Sequence, residues 1–343
     1  MASATTTAPR PSSRPPARSA GPGMRIARVV GFVLLAVSAV YFVVAAWKYA
    51  GELPPIAWNA TTAAVICWVT LAYLVQFLTA GMGWHLWLSA VGERSRPKVA
   101  ITLFTLSQFA KYVPGSIAQH IARVALGKRH GFGMQGMIVT LGLETAWALV
   151  AGIAVAAVCL ALAKPALLDG AALPSPLRIA AVVVIALLVP SAAIWLMGSR
   201  RPAFLDRWFG PNRIAHPRLR TLALCFVLYC ANFLICGWIL NLLARQIFGA
   251  PEDQLLISTG VFAVAWVIGF VTLISPGGLG VREAVLLAGL TPAYGAGTAL
   301  GIAILYRLVT SLGDGIGFVV GFIAEKRLTA VAAGSSTKPS PQD

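Results

Sequence analysis

Two strings in this sequence combine helix-breaking residues with charge. The longer is Ser275-Pro276-Gly277-Gly278-Leu279-Gly280-Val281-Arg282-Glu283, set between the apolar runs Leu255–Ile274 and Ala284–Leu290. Proline has no N–H for a helix and glycine is costly to order, so a helix stops here. In lipid, such a break is tolerated only where protein buries it or a water-filled cavity receives its polar groups. Charges such as Arg282 and Glu283 each cost about 2.5–3.5 kcal/mol at the bilayer centre, so they imply a polar interior. Pro276, Gly277, Gly278 and Gly280 therefore read as a backbone break beside a binding site. The shorter string is Lys111-Tyr112-Val113-Pro114-Gly115, with Ser116, Gln119, His120 and Arg123 after it. Pro114 and Gly115 are the matching break. On a helix starting near Ser116, residues 116, 119, 120 and 123 share one face. A hydroxyl, an amide, an imidazole and a guanidinium beside a helix N-terminus suit a phosphate. The competing reading groups Arg123 with Lys128 and Arg129 as interfacial charge.

Three more ionisable residues lie inside apolar runs. Glu144 is a natural partner for Arg123 or Arg282, and Arg307, Ser311 and Asp314 fall on one helical face at i, i+4 and i+7. Left unpaired, Lys111, Arg123, Glu144, Arg282, Glu283, Arg307 and Asp314 would cost roughly 20 kcal/mol, so they must form a connected polar interior. Four are basic and three acidic, which leaves one positive charge for an anionic guest. Gly313, Gly317 and Gly321 form a small-residue ridge suited to close helix packing. The five cysteines (Cys67, Cys159, Cys225, Cys230, Cys236) sit in apolar runs with no zinc-type spacing. With no P-loop, no DxD and no metal cluster in the sequence, the expectation is no catalytic residue, no metal and no cofactor, and a chain that is not an enzyme.

The elements that position these residues follow from composition. Only 11% of the 343 residues are charged, against roughly a quarter in a soluble domain, and the mean hydropathy is +0.80. This is the composition of an all-α, polytopic helical membrane protein. The net charge of +16 resides mostly in loops, which excludes nucleic acid as the favoured partner and points to cytoplasmic loops and anionic lipid. Residues 1–23 read as a disordered basic tail, 24–327 as one transmembrane domain and 328–343 as a short polar tail. Apolar spans are expected at Met24–Ala50, Ala57–Val91, Gly133–Ala163, Leu177–Gly198, Thr221–Phe248 and Gly295–Ala324. Val99–Val113 and Ser116–Leu126 form a hairpin flanked by basic residues on both sides, and Leu255–Leu290 holds the second break. That makes about six to eight membrane segments with two Pro-Gly-broken re-entrant hairpins. The cluster Arg200, Arg201, Arg207, Arg213, Arg218 and Arg220 is the strongest orientation signal and puts the N-terminus in the cytoplasm. Residues 57–163 and 221–324 repeat the order span, hairpin, span with opposite orientation, the pattern of an inverted repeat. If Gly277–Leu290 crosses fully instead, the C-terminus lies outside.

Lys111-Tyr112-Val113-Pro114-Gly115 with Arg123 downstream, and the Pro-Gly-Gly-Leu-Gly-x-Arg-Glu string ending at Glu283, resemble the two signatures of the transmembrane-domain family of lysylphosphatidylglycerol synthase/flippase proteins. The resemblance covers roughly residues 28–325. It implies a flippase-like lipid translocator or lipid-binding protein of the plasma membrane, acting on an anionic phospholipid, an aminoacyl-phospholipid or a polyprenyl-phosphate-linked lipid. The soluble aminoacyltransferase domain of two-domain members is not in this sequence, so synthesis of aminoacyl-lipid is not expected. Lys111, Ser116, Arg123, Glu144, Arg282, Glu283, Arg307 and Asp314 are the expected headgroup residues, with Arg123, Arg282 and Arg307 on phosphate and Glu144, Glu283 and Asp314 either holding these arginines in place or meeting a cationic part of the headgroup. The alternatives are a non-transporting partner of a synthase or glycosyltransferase of the cell envelope, or a membrane glycosyltransferase.

Overall fold

The computed structural model describes residues 40–44, 46–112, 118–163, 175–199, 217–272 and 280–336. The expected tail at 1–23 and the breaks at Pro114, Gly115, Ser116, Pro276, Gly277 and Gly278 lie outside them, as does most of the arginine-rich loop after residue 199. Among the described residues every regular element is helical. Residues 40–44 and 46–49 are helical and run into a short 3-10 turn at Ala50–Glu52. The helices that follow are α1 (Ala60–Ala90), α2 (Pro97–Gln108), α3 (Ala118–Arg129), α4 (Met134–Ala163), α5 (Ser175–Ser199), α6 (Leu219–Gln246), α7 (Leu255–Val271), α8 (Val281–Tyr294) and α9 (Ala296–Ser336). The last helix continues past Arg327, so the polar tail expected from 328 begins as helix, and residues 337–343 lie outside the description.

Helix ends follow local chemistry. The Asn59 side chain accepts the Thr62 N–H at 2.9 Å and caps α1. Pro97 opens α2, where its missing N–H costs nothing. After Gln108 the chain tightens into a 3-10 turn, Phe109–Tyr112, which carries Lys111. Gly280 enters α8 with φ of 82°, a conformation that glycine adopts without a Cβ penalty, and its N–H donates to the Glu283 carboxylate at 2.7 Å. Among the described residues four helices are long and apolar enough to cross a membrane: α1, α4, α6 and Ala296–Ala330 of α9, while most of the expected span Met24–Ala50 lies outside the description. By contrast α2 and α3 have 12 residues each, about 18 Å at 1.5 Å per residue, well short of a 30 Å hydrocarbon core. At 17 and 14 residues, α7 and α8 are also short. The chain is an integral, multi-pass membrane protein.

Helix packing divides the chain into two like halves, α1–α4 and α6–α9, with α5 lying against α4. The first helix of each half packs on its own hairpin, α1 on α2 and α6 on α7. The last helix packs on the other half's hairpin, α4 on α7 and α9 on α2. At the centre, α1 meets α6. Gln76 Nε2 donates to Cys236 Sγ, Thr79 Oγ1 to Asn232 Oδ1 and Trp87 Nε1 to Tyr229 OH, so rising positions on α1 meet falling positions on α6. Equivalent helices thus run antiparallel, and the halves are inverted with respect to each other. The duplication survives in side chains. Tyr73, Phe77 and Gly81 of α1 recur at the same spacing as Tyr229, Phe233 and Gly237 of α6. Gly81 lies against Ile101 of α2, and Gly237 against Thr259 of α7. Phe77 fills the notch of Gly317 on α9, and Phe233 that of Gly152 on α4. Gly313 and Gly321 extend the α9 ridge against Tyr73 and Leu106, which is the packing role their spacing suggested.

The ends of the bundle differ in charge. Glu93 accepts the Gly133 N–H at 3.2 Å, and His130 Nε2 lies 3.7 Å from Glu325. These contacts gather Arg94, Arg96, Lys98, Lys128, Arg129, Lys326 and Arg327 at one end, where antiparallel α6 also begins with Arg218 and Arg220. At the other end Gly297 packs on the Glu52 main chain, and Asn241, Asp253 and Tyr294 are hydrogen-bonded together.

Candidate functional site

A cavity of about 560 Å³ lies between the halves. Both hairpins and all four long helices line it, and Lys111, Arg123, Glu144, Arg282 and Arg307 reach its wall. Five of the eight expected headgroup residues are therefore brought together. Ser116 lies outside the described residues, while Glu283 and Asp314 stand behind the wall, each joined to a lining cation.

Three carboxylates hold three cations. Lys111 Nζ is 2.7 Å from Asp314 Oδ2, although one residue belongs to each half. Asp314 accepts further hydrogen bonds from Tyr73 OH at 2.9 Å and Tyr112 OH at 2.5 Å. Its side chain is 0% exposed against 19% for Lys111, so the cation faces the cavity and the anion is sealed behind it. The second pair repeats this layout. Arg307 Nη1 is 3.5 Å from Glu283 Oε1, with side-chain exposures of 21% and 7%. Glu283 also caps α8, which makes it a buried support rather than a lining residue. The expected common face of Arg307, Ser311 and Asp314 is real: Tyr112 OH reaches Ser311 and Asp314, and the Arg307 guanidinium lies 5.7 Å from the Tyr112 ring centre.

Arg123 has a different character. Its Nη1 donates to both Glu144 oxygens at 3.0 and 2.7 Å, its Nε to Ser107 at 3.3 Å, and its guanidinium packs 4.2 Å from the Phe104 ring centre. With a side chain only 1% exposed, it ties α2, α3 and α4 together and has little capacity left for a ligand. The choice left open for Glu144, between Arg123 and Arg282, falls to Arg123.

Arg282 remains. Among the described residues no carboxylate pairs with it, and its Nε is buried with no hydrogen-bond partner. It lies within electrostatic reach of Lys111, Cys236 and Tyr306, and Lys111 in turn feels Arg307. Three cations thus converge on one region of the cavity, and one of them has no counter-ion among the described residues. An arrangement of this kind lacks only an anion. His120 Nδ1 is likewise buried without a partner at the cavity wall. Among the described residues no group of three or more His, Cys, Asp or Glu is placed to hold a metal ion.

Several lining residues were missed in the sequence. Gln76 and Asn232 lie just before the paired Phe77 and Phe233 on α1 and α6, and Cys236 accepts from both Gln76 Nε2 and Tyr306 OH. The signal for them was the duplicated Tyr-x3-Phe-x3-Gly spacing on α1 and α6. Tyr112 stands inside the first string, but its hydroxyl meets Asp314 across the halves, a contact that no local spacing encodes.

The family profile described as "Lysylphosphatidylglycerol synthase TM region" matches residues 29–314, which include both hairpins and every described cavity residue. No curated protein matches the chain.

Proposed function

This chain belongs to the lysylphosphatidylglycerol synthase TM-region family, and on that premise we propose that it is a flippase-like lipid translocator of the plasma membrane. The phosphate of an anionic lipid sits in the inter-repeat cavity, and its acyl or prenyl chains stay in the bilayer. Arg282 carries the reading, because a cation without a counter-ion at membrane depth is a standing cost that a bound phosphate removes. Lys111 and Arg307 stand beside it with their exposed ends toward the cavity. A volume near 560 Å³ also falls among ligand pockets, which run from roughly 300 to 1,000 Å³. No chemical conversion is assigned to the site: its residues bind and release. Inverted halves around a central site provide the frame for alternating access by rocking of one half on the other. The basic end of the bundle faces the cytoplasm.

Leaflet exchange of fluorescent phosphatidylglycerol in reconstituted vesicles tests this. The expected result is exchange faster than in protein-free vesicles, lost in Arg282→Gln while the purified variant keeps the thermal midpoint of the parent. Lipid that binds but does not exchange would overturn translocation and favour a non-transporting partner of an envelope enzyme.

A further inference from the structure

The walls facing the three cations carry no free carboxylate among the described residues. Asp314 is taken by Lys111, Tyr73 and Tyr112, Glu144 by two bonds from Arg123, and Glu283 by Arg307 and the Gly280 N–H. What remains toward the cavity is uncharged and hydrogen-bonding. The Gln76 amide nitrogen gives one of its two N–H groups to Cys236, which leaves the second N–H and the amide oxygen. The Asn232 oxygen accepts from Thr79, so its amide nitrogen is left as a donor. These two groups come from corresponding positions of the antiparallel pair α1 and α6, at the centre of the molecule. The donor and acceptor capacity left on these two lining amides suits a hydroxyl, which both donates and accepts.

We infer that the cavity selects lipids whose headgroup joins a phosphate to an uncharged, hydroxyl-bearing group, and rejects aminoacylated lipids. The inference rests on the lipid-binding reading above and narrows it. Phosphate goes to Arg282, with Lys111 and Arg307 beside it, and the polyol hydroxyls go to Gln76 and Asn232. A lysyl ester on the same headgroup adds two ammonium groups, which meet three cations and no available carboxylate. Aromatic rings also line the cavity, among them Phe262, Trp266, Phe270 and Tyr306, with Phe270 stacked on one side of the Trp266 ring at 5.4 Å. The attraction of a cation–π contact is small beside like-charge repulsion in a cavity screened from water.

The test is displacement of fluorescent phosphatidylglycerol from the full chain in detergent, with competitors of matched acyl chains. Phosphatidylglycerol should compete about tenfold or more better than its lysyl ester, with phosphatidylethanolamine between them. Asn232→Ala should weaken phosphatidylglycerol but leave phosphatidic acid, which has the phosphate and no polyol, unchanged. A merely structural role for Asn232 would weaken both. Asn232→Asp supplies the missing carboxylate and should improve competition by the lysyl ester. If the lysyl ester competes as well as phosphatidylglycerol in the parent chain, or if Asn232→Ala affects both lipids alike, the inference is wrong and the lipid-binding reading stands. If no fluorescent lipid binds at all, the lipid-binding reading fails and takes the inference with it.

Discussion

Arg123 and Arg282 are both interior arginines near a hairpin, yet their removal should have opposite signatures. Arg123→Gln strips Glu144 of its partner in a buried site, at a cost of about 3–5 kcal/mol, and should lower the thermal midpoint in detergent sharply. Replacing the pair together, as Arg123→Met with Glu144→Leu, should recover much of that loss, because no charge is left stranded. Arg282→Gln strips no carboxylate among the described residues, and should leave the midpoint unchanged or higher while lipid binding falls. An Arg282→Gln variant that melts like Arg123→Gln would place Arg282 among the structural ties. Residue types, a surplus of one positive charge and Glu144 as a partner for Arg123 or Arg282 are legible in the sequence; the other pairings are not. Lys111 and Asp314 are joined across the two halves, and no local spacing encodes such a contact. Glu283 shows how far local geometry reaches. Adjacent residues on a helix face different ways, so Glu283 needs a partner other than Arg282, but only the packed structure names it as Arg307.

At the scale of elements, glycines set how closely neighbouring helices approach. A Cβ on Gly81 would fall 2.8 Å from the Ile101 Cα, which is main chain and cannot rotate away. Gly81→Ala should therefore cost about 1–3 kcal/mol through overpacking and separate α1 from its hairpin. Gly315 is the control. It lies on the same helix as the Gly313 and Gly317 notches, but a Cβ there meets nothing within 4 Å. Gly315→Ala should be neutral or stabilising by up to about 1 kcal/mol, from helix propensity alone. Thermal unfolding of both variants decides whether contact or composition matters. Helix positions were legible because apolar runs and Pro-Gly strings mark them directly. The crossed packing, in which α4 and α9 each serve the opposite hairpin, was not, because it depends on how the two halves interlock rather than on any one stretch.

For the whole molecule, the collection of basic loops at one end yields a topology prediction. With Cys67 replaced by Ser, a cysteine at Arg94 should react with a membrane-impermeant maleimide only from the cytoplasmic side, and one at Glu252 only from outside. Labelling of both from one side would contradict the antiparallel halves and the orientation together. The halves agree in packing and disagree in polar chemistry. Asp314 lies three residues before the Gly317 notch, and the matching position, three before Gly152, is Leu149. The first hairpin is therefore latched to α9 by Lys111 and Tyr112, and α4 has no counterpart of Asp314 with which to hold the second hairpin. On the translocator reading proposed above, a frame that rocks between two-fold-related shapes would have one deeper well and one shallower one. Such an imbalance could not set the direction of net flow, which would follow the gradient of the lipid. It would fix instead where the protein rests between cycles, and would make release of the Asp314 latch the costlier of the two swings.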